Sequence, residues 1–282
     1  MQIAPSAEAE FTSTTVSLGS RGSLEFQLSA NTDQSACFCL GVRKSGSTML
    51  HKIVLFLARK NNVNTVDVPG TFFKSGFGVT DWVSADLSPV VRPGNAYVGF
   101  RSFPSNFTQY EAFRTGQKIF MFRDPRDALV SQYFSDAYSH SLPSKDTEAG
   151  AKASEAFMKK RNEALATDIN AYVLKQARPF DNTLMAFAPL LSDPTCLTLR
   201  YEDYVFQKKR LIHKILRHFD WQCAPGHIES LMKIIDAVPD AEDNKRFIRR
   251  VIPGDHRNKL TPETIRKLNN QLREALQVFD YY

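Results

Sequence analysis

The chain has 282 residues, 43% of them hydrophobic, enough for one full core, and its 23% charged content with ordinary glycine and proline counts excludes collagen-like and wholly disordered chains. No apolar run approaches the roughly 18 residues of a membrane span, and the start MQIAPSAEAEFTSTT lacks the basic and apolar stretches of a secretory signal, so the expected location is cytoplasmic. A net charge of +6 and an isoelectric point near 9.1 favour an anionic partner; nucleic acid is not expected, because no zinc-finger spacing, aromatic RNA-binding signature or long basic tract occurs.

Residues 11–30 alternate apolar and β-prone positions around the turn signal Gly19-Ser20-Arg21-Gly22, which predicts an N-terminal hairpin or edge addition. The chain thus divides into an extension over 1–35 and one domain over 36–282. The continuous run Ala36-Cys37-Phe38-Cys39-Leu40 suits a strand buried on both faces; a glycine loop and the helical stretch Met49 to Lys60 follow it. Further buried strands are predicted at Thr65–Val68, Ala96–Phe100, Lys118–Phe122 and Cys196–Leu199. Helical periodicity covers Pro125–Tyr138, Ser154–Gln176, Tyr204–Phe219, Ile228–Ala237 and Pro262–Phe279, and 139–153 reads as a polar, flexible insertion. The alternation predicts a three-layer α/β fold with a mostly parallel sheet flanked by helices. The four cysteines form no CxxC pair and read as core thiols.

Gly41-x4-Gly46-Ser47-Thr48 nearly spells the GxxxxGK[ST] phosphate loop, but Ser47 stands where its lysine should be and the cation moves to Lys44. A backbone N–H nest and a helix N-terminus remain, which suit a phosphate. ATP chemistry needs a lysine on the outer phosphates and a hydroxyl with an acidic partner for magnesium. A single-charge sulfuryl group can be moved by fewer cations, so no metal is expected.

Arg43-Lys44-Ser45-Gly46-Ser47-Thr48 resembles the 5′-phosphosulfate loop of the sulfotransferases that use 3′-phosphoadenosine 5′-phosphosulfate (PAPS), whose usual form is a lysine followed by SGTT. The resemblance extends to a P-loop-like fold and to three later segments. Arg123 at a strand end and Ser131 eight residues on resemble the family's 3′-phosphate pair. Arg249-Arg250 and Gly254-Asp255 resemble its late RKG and GDW elements, with Val251 in place of the glycine and His256 in place of the tryptophan. Arg200-Tyr201-Glu202-Asp203 matches YED, whose tyrosine contacts adenine. The resemblance implies that Arg43, Lys44, Ser45, Gly46, Ser47, Thr48, Met49, Arg123, Ser131, Tyr201, Arg249 and Arg250 bind the co-substrate. Met49 occupies the place of a frequent tryptophan. Ser45 to Thr48 would hold the 5′-phosphate through backbone and hydroxyl donors, and Lys44 would stabilise the leaving bridge oxygen.

The implied reaction carries a sulfuryl group to a hydroxyl or amine and releases adenosine 3′,5′-bisphosphate (PAP). The family's cytosolic members carry a catalytic histidine in a K-T-H-x-P-like segment; here the corresponding stretch is Phe100-Arg101-Ser102-Phe103-Pro104, with Ser102, a poor base, at that place. Glu111, Asp81 and then His140 are the replacement candidates, with His51 more often structural. The acceptor is a small molecule or glycan, with a sugar, a lipid and an aromatic alcohol all open, and the oligomeric state is unreadable. Two rival readings stand beside this one, a P-loop nucleotide kinase or NTPase and a non-catalytic sulfotransferase-like binding protein.

Overall fold

The structure, a computed structural model, describes residues 10–139, 148–236, 238–239, 241–244, 246 and 248–282. Among the described residues, seven strands form two sheets. β1 (Phe11–Ser17) and β2 (Ser23–Ser29) pair antiparallel as the expected hairpin. β3 (Cys37–Gly41), β4 (Asn64–Val66), β5 (Asn95–Phe100), β6 (Gln117–Phe122) and β7 (Cys196–Arg200) form one parallel sheet in the order β4-β5-β3-β6-β7. Every neighbouring pair in it is parallel, so helical connections cover both faces.

Alternate residues along each strand feed different cores. Phe38, Leu40, Tyr97, Phe100 and Phe120 enter the core that also takes Val16, Leu24, Phe26 and Leu28 from the hairpin and the apolar face of helix Ile169–Met185. Cys37, Cys39, Ala96, Val98 and Ile119 face the opposite core, closed by helices Ser47–Lys60, Lys208–Phe219 and Pro225–Ile235. Burial raises the Cys37 and Cys39 thiols to about 12, which leaves them as inert apolar filling.

Several predicted elements end early for local reasons. The strand expected over Thr65–Val68 stops at Val66, because Asp67 accepts from the Gly70 N–H at 2.8 Å and caps helix Val68–Lys74, with Pro69 in its first turn. The long helix expected over Ser154–Gln176 is two helices, Glu148–Leu165 and Ile169–Met185; Asp168 caps the second by accepting from the Asn170 N–H. The Tyr204–Phe219 and Pro262–Phe279 helices are likewise interrupted, at 205–207 and at Leu272. Helix Pro125–Phe134 does not run on as an α-helix to Tyr138 but widens into a π-turn, Ser135–Ser139. Of the stretch read as a polar insertion, 148–153 is helical and 140–147 lies outside the described residues. No helix among the described residues is long and apolar enough to cross a membrane.

Candidate active site

The loop from β3 to helix Ser47–Lys60 carries two departures from ordinary backbone. Lys44 has φ 66° and Gly46, the helix N-cap, φ 81°. A left-handed conformation costs a side-chain-bearing residue about 1–2 kcal/mol, so at Lys44 the surroundings must hold it. They do so from β6: the buried Ser45 hydroxyl lies 2.6 Å from the Val42 carbonyl and 3.0 Å from that of Met121. The Ser45 hydroxyl therefore anchors the loop instead of reaching a ligand, unlike the donor role expected of it, and Ser45 does not line the cleft described below. Gly46, Ser47, Thr48 and Met49 do line it, at the positive end of a 14-residue helix whose first N–H groups have no partner within the helix.

Gly46 is required twice over. A Cβ there would stand 2.7 Å from Tyr201 Cδ2, in addition to the left-handed backbone. Gly46→Ala should thus lose about 1–2 kcal/mol from the backbone alone, and more from displacing Tyr201; thermal denaturation checks this, and an unchanged midpoint would count against so tight a fit.

Arg123 leaves the end of β6 and is 7% exposed. Its guanidinium lies 4.6 Å from the Tyr201 ring centre, and its Nη2 is 3.3 Å from Asp127 Oδ2. The Asp127 carboxylate also accepts from the Gly254 N–H (2.6 Å), the His256 N–H (2.9 Å) and the His256 ring Nδ1 (2.6 Å). Burial alone would raise the Asp127 carboxyl, but the His256 bond, the Arg123 charge and the backbone donor outweigh it and hold it well below the usual carboxylate range. His256, which looked like a departure from the expected tryptophan, thus joins the late segment to helix Pro125–Phe134. Val251, at the expected glycine, packs with Tyr201 and Val205.

Arg249 is nearly buried, pairs with Glu242 and Asp255, and lies over the Phe134 ring at 4.1 Å; Arg250 is more exposed, with Glu242 Oε2 at 3.2 Å. All these elements surround one cleft of about 670 Å³, lined by Arg43, Lys44, Met49, Arg123, Ser131, Tyr201, Arg249 and Arg250 among others. Burial brings Lys44 down to about 8; the Asp136 charge opposes this, while Arg123, Arg249 and Arg43 reinforce it.

The base candidates fare differently. Asp81 pairs with Arg21 of the hairpin connection and accepts from the Gly78 N–H at 2.7 Å, and Glu111 is exposed at the start of its helix. Neither lines the cleft, nor does Ser102. His140 lies outside the described residues. His51 also stands off the cleft, its Nδ1 buried without a bond, and burial with the Arg101 charge depresses its pKa. The cleft instead contains Asp136, an acidic residue that sequence reasoning passed over because its spacing from Lys44 carries no local pattern.

The family profile of the sulfotransferase domain matches residues 34–280. The chain belongs to the sulfotransferase domain family. Its fold is similar to that of a mouse sulfotransferase complexed with PAP, at 14% identity, 88% coverage of each chain and a TM-score of 0.53. It is also similar to a retinol dehydratase in complex with androsterone and the inactive cofactor PAP, at 16% identity, with 94% of this chain and 90% of that one covered and a TM-score of 0.52. A comparison with curated protein sequences finds no match at a significant level. With the family shown, the sulfotransferase takes the place of the nucleotide-kinase reading.

Proposed function

We propose that this sulfotransferase moves the sulfuryl group of PAPS to a hydroxyl or amine of a small-molecule or glycan acceptor and releases PAP. One observation carries the reading: Lys44, the N-terminus of helix Ser47–Lys60 and three arginines from distant segments converge on a single cleft. Strand order supports a division of labour within it. Arg123 and Tyr201 follow β6 and β7, on one side of β3, and with Ser131, Arg249 and Arg250 suit the 3′-phosphate and adenosine. Met49, Val205 and Ile234 line the same cleft and suit the base. Phe73 and Arg101 follow β4 and β5, on the other side, and with Lys52 and Phe157 suit an acceptor that has an apolar body and a negative charge. Ser47, Thr48 and the helix N-terminus hold the 5′-phosphate, while Lys44 meets charge that develops on the bridge oxygen.

Calorimetry with PAP against ATP and adenosine 5′-monophosphate tests the binding half, and transfer of radiolabelled sulfate from PAPS to an acceptor panel tests the chemistry; transfer should persist in EDTA. Arg123→Ala should weaken PAP about a hundredfold and Arg249→Ala about tenfold, from a charge-assisted bond of roughly 1.5–3 kcal/mol. The smaller effect falls on Arg249 because Glu242 and Asp255 compete for it. Adenosine 5′-monophosphate, which lacks the 3′-phosphate, should bind both variants almost as it binds the parent. Equal weakening of both ligands would remove the 3′-phosphate assignment, and PAP binding without transfer would leave a binding protein.

A further inference from the structure

The cleft is strongly cationic. Its described lining residues include nine lysines and arginines, no histidine, and one carboxylate, Asp136. Sulfuryl transfer to a hydroxyl or amine leaves the acceptor's proton to be taken up, so the sole anionic side chain in that lining is the group to ask about.

Asp136 is built as an oriented acceptor. It lies in the π-turn Ser135–Ser139, whose widened pitch turns side chains away from the positions an α-helix would give them. Its Oδ2 is held from two other helices: the Tyr172 hydroxyl donates to it, and Lys160 Nζ lies 2.8 Å away. Its Oδ1 has no bond among the described residues, although the side chain is only 10% exposed. One oxygen is fixed and the other keeps its lone pairs for the cleft. The charge of Asp136 also reaches Lys44, the residue assigned to the bridge oxygen, and favours its protonated form.

We propose that Asp136 is the general base of the transfer. This rests on the PAPS reading above. The acceptor oxygen or nitrogen bonds to sulfur while the bond from sulfur to the bridge oxygen breaks. PAP leaves with that bond's electron pair, and the acceptor's proton passes to Asp136 Oδ1. A carboxylate acceptor suits a loose transition state, because the acceptor hydroxyl becomes strongly acidic only as its new bond to sulfur completes.

The test compares Asp136→Asn with the parent in transfer of radiolabel from PAPS to p-nitrophenol, largely ionised near pH 8, to cyclohexanol, which is not, and to water, with PAP affinity measured in parallel. The expected result is a loss of about 10²–10³-fold with cyclohexanol or water, a much smaller loss with p-nitrophenol, PAP affinity within about threefold, and partial recovery in Asp136→Glu. Equal losses with ionised and neutral acceptors would make Asp136 structural and overturn the proposal, as would undiminished transfer. A parent that binds PAP yet labels nothing, water included, overturns it too, whereas a parent that fails to bind PAP removes the PAPS reading itself. If Asp136→Asn does not fold, the parent still decides: a solvent deuterium isotope effect with cyclohexanol and none with p-nitrophenolate is expected, and its absence with both would sink the assignment.

Discussion

Lys44→Ala should lower kcat by about 10²–10³-fold or more while changing PAP affinity by no more than about tenfold. The separation follows from where the lysine stands. In the proposed arrangement the 3′- and 5′-phosphates have their own partners in the arginines and the helix N-terminus, so ground-state binding should survive its loss. Charge on the bridge oxygen grows only as the sulfur bond breaks, and in the proposed arrangement Lys44 is the cation that meets it. Its acidity adds a second readout. Burial holds the free protein's Lys44 near 8, well below an ordinary lysine, so the charged form needed for catalysis is present below pH 8 and disappears above it. The kcat/KM profile, which reports the free enzyme, should fall above about pH 8. Bound PAPS brings negative charge and raises that pKa, so the kcat limb should lie at higher pH. Lys44→Arg, whose guanidinium keeps its proton, should lose the alkaline limb even where its rate is poor. Parallel losses of binding and rate in Lys44→Ala would make the lysine chiefly a ground-state ligand.

Asp127→Asn should destabilise the ligand-free protein by on the order of 3 kcal/mol, a fall in Tm of roughly 6–12 °C for a chain of this size. The carboxylate is fully buried and meets four donors: Arg123, two backbone N–H groups and the His256 ring. An amide brings its own NH₂ toward those donors and leaves the nearly buried Arg123 without its carboxylate. The 3′-phosphate would restore a counter-charge to Arg123, so saturating PAP should recover more of the Tm deficit in Asp127→Asn than it adds to the parent. Thermal denaturation with and without PAP measures both quantities. An equal PAP shift in parent and variant would separate Arg123 from the phosphate site, and a fall under about 2 °C would mean that the network contributes little.

Much of the site was legible because it is written in short local patterns. An apolar run, a glycine loop and a helical stretch specify β3, the phosphate turn and helix Ser47–Lys60 within some 25 residues. Asp124-Pro125 caps the next helix and thereby sets Arg123 at the strand-to-helix turn and Ser131 about two turns along, so their spacing alone was informative. Alternating apolar and polar residues around a glycine turn likewise determined the hairpin. In each case backbone geometry and capping chemistry act between near neighbours, and the chain's own order places the residues.

Only the tertiary structure decided the rest, since the partners lie far apart in sequence and nothing local marks them. Asp127 meets Gly254 and His256 nearly 130 residues away, which converts an apparent departure at His256 into the clasp of the arginine segment. The Ser45 hydroxyl was committed to β6 by the parallel packing of β3 against it. Asp81 had the right residue type for a base, but pairing with Arg21 holds it off the cleft. Asp136 carries no motif at all; its role depends on a π-turn and on Tyr172 and Lys160 arriving from two separate helices. Residue type and local spacing determined which groups could bind phosphate, whereas long-range packing decided which carboxylate is left with a free oxygen in the cleft, because that depends on every neighbour the folded chain brings to it.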